Sequence, residues 1–360
     1  MNAQSTLQRC GRGATPSALQ TAIHVAFDPF MPERLAHLGA INVVRASDCL
    51  LVGPSRRDPR KHEQAREVWW DTSEKWDHLY SPAVRWDRPV VLWVSANIGE
   101  RIHLWRACSW LRRMRIPARD IFPLELDVVP PRRPPVEPTP PFNCTASVAD
   151  HSDEVLLERL AGARPWRRER QERAARLWSR FAGDNPIPFV RSCLRGVEGF
   201  PELGPLWTFL SCFFPREKPG GGLRLSRFDE IVLSILSGEW QTPVAMFVQK
   251  SDAGVALRQL LSGAGDLFLP RRLDEWVIHG PNAAVERMPG PRPDLPMNSF
   301  VYRITEAGAR PRERGLADLA DAPTLPVAGT AAYAPSAPWV LLEDGRLVEC
   351  EVPSRTREGL

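Results

Sequence analysis

Seven prolines lie within the twelve residues from Pro130 to Pro141, PPRRPPVEPTPP. Proline fixes φ and carries no amide hydrogen, so this stretch can neither continue a helix nor sit in a central strand. It is expected to be a semi-rigid polyproline connector that advances about 3 Å per residue. A chain of 360 residues also exceeds what one core commonly serves, so two domains are the default. The expected division is a polar, disordered leader over residues 1–20, an α/β domain over 21–129 and a linker over 130–150. A helical domain over 151–280 follows, then a closing region of loops, short strands and a hairpin over 281–360.

The first half alternates strand and helix signals. Thr21 to Phe27 (TAIHVAF) suits a buried strand that Asp28-Pro29 ends, and Pro32 to Leu38 can form a short helix. Ile41 to Val44 is the second strand, and two strands joined by a helix imply a βαβ unit with a parallel sheet. Gly53-Pro54 reads as a turn. Asp58-Pro59 then reads as an N-cap with proline at the first helical position. Pro89 to Val94 (PVVLWV) is the clearest strand and Ile98 to Met114 the clearest helix; Ile121 to Val129 is a fourth strand. The class expected is a Rossmann-like α/β domain with a mostly parallel sheet.

The second half reads as mainly helical. Candidate helices are Ser152–Leu160, Arg167–Phe181, Pro188–Leu194, Glu202–Phe213 and Leu267–Ile278. Ser226 with Asp229 three residues on is a capping signal, and Thr242-Pro243 repeats it. Asn282 to Pro296 reads as a proline- and glycine-rich loop, and Phe300 to Ile304 as a strand. Asp344-Gly345 between two apolar runs is a strong hairpin signal. Capped short helices over Leu225–Leu261 followed by strands suggest a winged-helix-like arrangement.

Composition narrows the function classes. The net charge of +4 is small for a nucleic-acid binder, and all but four of the basic residues are arginine. Seven scattered cysteines without a CxxC or His/Cys cluster argue against a disulfide framework or a zinc site, and fit a reduced cytoplasm. No apolar run is long enough for a membrane span. There is no GxGxxG after a strand, no Walker loop, no HExxH and no GxSxG, so no cofactor is implied.

In parallel sheets ligands sit outside the carboxyl ends of the strands. That rule places Asp28 and Asp48 on one rim, as an acid pair or as caps of the turns that follow them. Gly53-Pro54 is turn chemistry or a close approach of backbone to ligand. Arg66 reaches the rim from the following helix, to hold a carboxylate or phosphate or to pair with Asp48 or Glu100. His24, mid-strand among apolar residues, reads as a satisfied core histidine. The arginine-rich run Arg164–Arg180 reads as a solvated helix face, and Trp110 as packed against the second domain.

The order strand-then-Asp28, then Asp48, Gly53-Pro54, Arg66 with Trp69, and LWVSANIGERIHLWRACSWLRRM (Leu92 to Met114) resembles the bacterial domain of unknown function 1835 family. Further similar stretches are LWSRFAGDNP (Leu177 to Pro186), FPELGPLWTFL (Phe200 to Leu210), GGLRLSRFDEIVLSIL (Gly221 to Leu236) and YRITEAGAR (Tyr302 to Arg310). The resemblance implies a layout and no reaction. It places Asp28 at a first-strand turn, Asp48 in an acidic pair, and Gly53-Pro54, Arg66, Trp93 and Glu100 at matching positions. Phe27 and Pro29 stand where that turn usually has Gly and Ser, and Ser47 stands where the pair has its second Asp.

Two expectations follow. The first is a small polar or anionic ligand bound at the strand-end rim by Asp28, Asp48, Gly53, Pro54, Arg66 and Glu100, in a binding module or a degenerate enzyme. The second is a regulatory protein whose helix-turn-helix-like segment meets a protein partner or nucleic acid.

Overall fold

The structure is a computed structural model and describes residues 15–71, 77–127, 147–219, 223–277, 283–309, 323–332 and 339–350. The proline-rich run and the first fourteen residues lie outside the described residues. The chain forms two compact units. Unit 1 is residues 1–50, 55–183 and 195–205, and unit 2 is residues 51–54, 184–194 and 206–360.

Unit 1 begins with α1 (Thr15–Thr21), followed by β1 (Ile23–Ala26), α2 (Met31–His37) and β2 (Val43–Arg45). The short β3 (Gly53–Pro54) belongs to unit 2. Then come α3 (Pro59–Trp70), β4 (Val90–Val94), α4 (Ile98–Arg113), β5 (Ile121–Glu125), α5 (Asp153–Ala161) and α6 (Arg168–Phe181). The sheet has the order β2-β1-β4-β5 and is parallel throughout. Its strands are nearly continuous apolar runs, as a sheet covered on both faces requires. The Asp58 carboxylate accepts from Lys61 N at 3.1 Å to start α3, with Pro59 at the first position, so that cap is as the sequence implies.

One face of the sheet packs α1, α2 and α5 around Ala26, Val91, Trp93, Phe122 and Leu124. Along β4 the alternate residues Val90, Leu92 and Val94 point to the opposite face and are fully buried. His24 is buried, with Trp93 Nε1 donating to its Nδ1 at 3.1 Å and its Nε2 3.2 Å from Leu19 O. Burial lowers its pKa to about 4, as expected of a satisfied core histidine.

Three expectations are corrected here. The stretch read as a leader contains α1, because Ala18 and Leu19 supply an apolar face that the core takes up. The division does not fall at the prolines: α5 and α6 belong to unit 1, where α6 packs along α4 and Leu156 and Leu160 enter the core. The sequence marks where the chain cannot be regular, but burial decides which side each helix joins.

Unit 2 holds most of α7 (Ile187–Arg195) and α8 (Leu203–Ser211), then β6 (Arg216–Glu217), β7 (Leu223–Arg224), α9 (Arg227–Ile235), α10 (Pro243–Phe247), α11 (Asp252–Ala264) and α12 (Phe268–Val277). β8 (Val285–Pro289) and β9 (Phe300–Ile304) pair antiparallel, and Gln241 bridges to Tyr302. β8 is the third correction, since Asn282–Pro296 was expected to be loop. Its proline is at the strand end and four of its five residues are exposed, so no apolar alternation announced it. β10 (Pro326–Ala328), β11 (Thr330–Ala331), β12 (Trp339–Leu341) and β13 (Leu347–Glu349) complete the unit, with β12 and β13 forming the expected hairpin.

Ser226 and Thr242 cap α9 and α10 through their side chains, and Asp229 does more than fill the capping signal. Its carboxylate accepts from Arg272 Nε at 2.8 Å, Arg272 Nη2 at 2.9 Å and Trp276 Nε1 at 3.1 Å, and both charged side chains are fully buried. Burial pushes Asp229 up, yet the Arg272 guanidinium overcomes it and holds the carboxyl below its usual range. Removing one member of such a pair leaves a charge buried alone, at a cost of about 3–5 kcal/mol. Asp229→Ala is therefore expected to lower unfolding stability by about that amount in urea titration. A loss below about 1 kcal/mol would place the pair among weak surface bridges.

Candidate functional site

The four parallel strands end on one rim, and a carboxylate stands near each end. Beyond β2 is Asp48. Beyond β1 is Asp28. After β4 come Ser95 and, in the first turn of α4, Glu100; Glu125 is the last residue of β5. The sequence rule therefore locates the rim, but the four acids differ in their partners.

Asp48 is part of a closed corner. Arg66 donates from Nε to Asp48 Oδ2 at 2.6 Å and from Nη2 to Asp48 Oδ1 at 2.7 Å, and Nη2 also donates to Cys49 O at 2.6 Å. Trp70 Nε1 donates to Asp48 Oδ1 at 2.9 Å, and its ring lies 5.4 Å from the Arg66 guanidinium carbon. Asp48 and Arg66 side chains are 9% and 6% exposed. Burial alone would raise the Asp48 carboxyl; the charge and hydrogen bonds of Arg66 hold it far below the usual range. Spacing on α3 makes this possible, since Arg66 and Trp70 are one turn apart on one face.

The corner continues through α4. His103 Nε2 hydrogen-bonds the Asp48 carbonyl, and Arg106 pairs with Asp77 and lies 3.1 Å from His103 Nδ1 and 3.3 Å from His62 Nε2. Burial and then the Arg106 charge lower His103 to about 3, and the same two causes hold His62 well below its ordinary value. Both histidines are thus neutral acceptors near pH 7. Trp110 packs edge-on against Tyr80 of the same unit, 5.0 Å between centroids.

Glu125 is likewise paired, with Arg101 and with Arg170 at 2.9 Å, and Trp166 Nε1 donates to it at 3.0 Å. The arginine-rich helix α6 is laced with such pairs, Arg168 with Glu172 and Arg173 with Glu198 among them.

The two acids between these clusters are different. Strand order reverses between β1 and β4, since the chain leaves β1 for β2 on one side and returns to β4 on the other. This is the switch point where α/β sheets open a crevice. Asp28 accepts from Phe30 N at 2.8 Å, an Asx-type turn, and from the Ser147 hydroxyl. Glu100 accepts from Ser95 N at 2.7 Å, and its Oε1 lies 2.9 Å from Ser95 Oγ. Among the described residues neither acid has a cationic hydrogen-bond or ion-pair partner. Burial raises Glu100 to about 8 against the hydrogen bonds of Ser95, and the nearby Asp28 charge adds to the rise.

Three amide donors at this rim are engaged. Ser95 N goes to Glu100, Asn97 N to Ser95 Oγ at 3.1 Å, and Gly99 N to Asn97 Oδ1 at 2.8 Å. A phosphate cradle would need those groups open.

Of the expected residues, Asp48 and Arg66 are brought together and bound to each other, and Asp28 and Glu100 share the switch point. Gly53 and Pro54 belong to unit 2. They form β3, parallel to Val327-Ala328 of β10 in unit 2, with Gly53 at φ +80°. That positive φ needs glycine, so the dipeptide is explained by backbone geometry. Ser95, Ser147 and His103 were not singled out. Ser95 directly follows the clearest strand, so the strand-end rule would have found it; nothing local marks Ser147.

Five described cysteines are free thiols, and no group of three or more described His, Cys, Asp or Glu side chains is placed to hold a metal ion. No described helix is long and apolar enough to cross a membrane. Comparison with family models, curated proteins and solved structures finds no match to this chain.

The raised Glu100 carboxyl predicts a pH dependence. Unfolded, it ionises near 4.5; folded, near about 8. Between those values the native state holds a proton that the unfolded state lacks, so stability falls as pH rises through the window. The drop from pH 5 to pH 8 is expected to be on the order of a few kcal/mol, and Glu100→Gln should flatten it in urea titrations at both pH values. An unchanged slope in the variant would contradict the assignment.

Proposed function

We propose that unit 1 binds a small polar molecule at the switch point between β1 and β4, where Asp28, Ser95 and Glu100 converge. The observation that carries this reading is the uneven pairing along the rim. Asp48 and Glu125 have guanidiniums, while among the described residues the two acids at the switch point hydrogen-bond to hydroxyl and amide groups. A buried carboxylate without a cation is costly, and a ligand that donates hydrogen bonds removes that cost.

The same facts select the ligand. Arg66 is spent on Asp48, and Ser95 N, Asn97 N and Gly99 N are engaged, which favours the polar over the anionic half of the expectation. A ligand with amine or hydroxyl donors fits Asp28, and near pH 7 the protonated Glu100 stays within the Ser95 loop. The Ser147 hydroxyl on Asp28 stands where a ligand hydroxyl would stand. This describes a binding module.

The regulatory reading keeps one supporting observation. Helices α9 to α12, the β8–β9 hairpin and the Gln241 bridge follow a winged-helix-like order. Yet Arg287 sits on Asp274, Arg292 on Asp294 and Arg303 on Glu286. Arginines neutralised in place are poor phosphate contacts, so this reading favours a protein partner over nucleic acid.

The test is a thermal-shift screen of nucleosides, sugars, polyols, amino acids and polyamines, followed by calorimetry on hits. At least one amine or polyol is expected to stabilise the wild type, to lose at least tenfold in affinity with Asp28→Asn, and to gain a few-fold with Ser147→Ala. If every hit binds Asp28→Asn as well as wild type, or if the hits are anions only, the reading is wrong.

A further inference from the structure

An opening lies at the other end of the unit 1 sheet, at its edge strand. It is a cavity of about 300 Å³ lined by Ile41, Val43, Val84, Arg85, Asp87 and Arg88 among others. β2 is the last strand of the sheet, so one side of it has no neighbouring strand. In the parallel register His24 N donates to Asn42 O and Ala46 N to Ala26 O, which turns the even-numbered residues of β2 toward β1. The N–H and C=O of Val43 therefore face outward. Farther along the edge His78 N reaches Arg45 O at 2.8 Å, but among the described residues nothing bonds the backbone of Val43.

The side chains around this unpaired position are of two kinds. Ile41 and Val84 are apolar, and Ile41 is 69% exposed. Arg85 is exposed and has no hydrogen-bond or ion-pair partner among the described residues. Arg88 has Asp87 at 3.8 Å, a loose contact between side chains that are 47% and 65% exposed. The rim of the opening thus carries a surplus of one positive charge beside an open backbone edge.

An unpaired strand edge, a hollow where apolar side chains meet polar groups, and the free Arg85 beside the loosely paired Arg88 together match one kind of occupant. We propose that this opening captures the C-terminus of an extended peptide, its backbone pairing with Val43, an apolar last side chain entering the hollow, and its carboxylate held by Arg85 and Arg88. Main-chain pairing to a sheet edge supplies affinity and the side-chain hollow supplies selection. The guanidinium forks match a carboxylate. The edge is also short at this point, which limits uncontrolled strand addition. The site is separate from the switch-point crevice and involves none of its residues.

The experiment uses the full chain and two immobilised pools of tetrapeptides, attached through their N-termini and randomised among apolar residues at the last and third-last positions. One pool ends in a free carboxylate and the other in an amide. The free-acid pool is expected to bind at least tenfold tighter. Arg85→Glu/Arg88→Glu should abolish the difference without moving the melting temperature, since both side chains are exposed. Amide hydrogen exchange at Val43 should be fast in the unbound protein and slowed at least tenfold with the free-acid pool. Equal capture of both pools, or a preference that survives the charge reversal, overturns the proposal. So does the absence of saturable binding at millimolar peptide, including the case in which inorganic phosphate alone perturbs Arg85 and Arg88.

Discussion

Burying a guanidinium is what the structure of unit 1 is arranged to make tolerable. Arg66 and Arg106 are both withdrawn from water, at 6% and 1% side-chain exposure. Each would cost several kcal/mol alone in such surroundings. Asp48, Asp77, the Cys49 carbonyl and two neutral histidines surround them. Burial and then the Arg106 charge depress the histidines, which keeps them neutral beside the guanidiniums. The corner joins the end of β2, helix α3 and helix α4, so it fixes the geometry of the rim beside it. Phe27, the residue before Asp28, stacks on His103 at 5.6 Å, which ties the end of β1 to the same corner.

This division of labour explains why the most conspicuous residues are poor candidates for ligand contact. A bidentate arginine–carboxylate pair with a tryptophan donor has little left to offer a ligand. The acids that lack such a partner lie one strand away. Unit 2 repeats the principle with Arg272 and Asp229, where a helix cap has been extended into a buried ion pair. In both units the buried guanidiniums are matched by carboxylates.

Local features were legible in the sequence and distant ones were not. Asp58, Ser226 and Thr242 announced their caps because a cap is settled within four residues. The strand PVVLWV announced itself because a strand buried on both faces is apolar throughout. The Arg66–Asp48 pair was one of the alternatives the sequence left open, beside a ligand or Glu100, and one helix and one turn connect the two residues. Asp28 with Ser147, and Gly53 with Val327, are pairings across long stretches of chain, set by packing that no local pattern encodes. The proline run misled for a related reason. It fixes where regular structure stops, while membership of a unit depends on which core Leu156, Leu160 and Trp178 enter.

The rim depends on Asp48 and Arg66 being bound to each other for stability. A double-mutant cycle of Asp48→Ala, Arg66→Ala and the double variant, read by urea unfolding at pH 7, measures that directly. The account predicts strong coupling, about 2 kcal/mol or more, with each single variant costing nearly as much as the double because each strands a buried charge. Additive effects with coupling near zero would contradict it. They would mean that the two side chains are independently tolerated and available to a ligand.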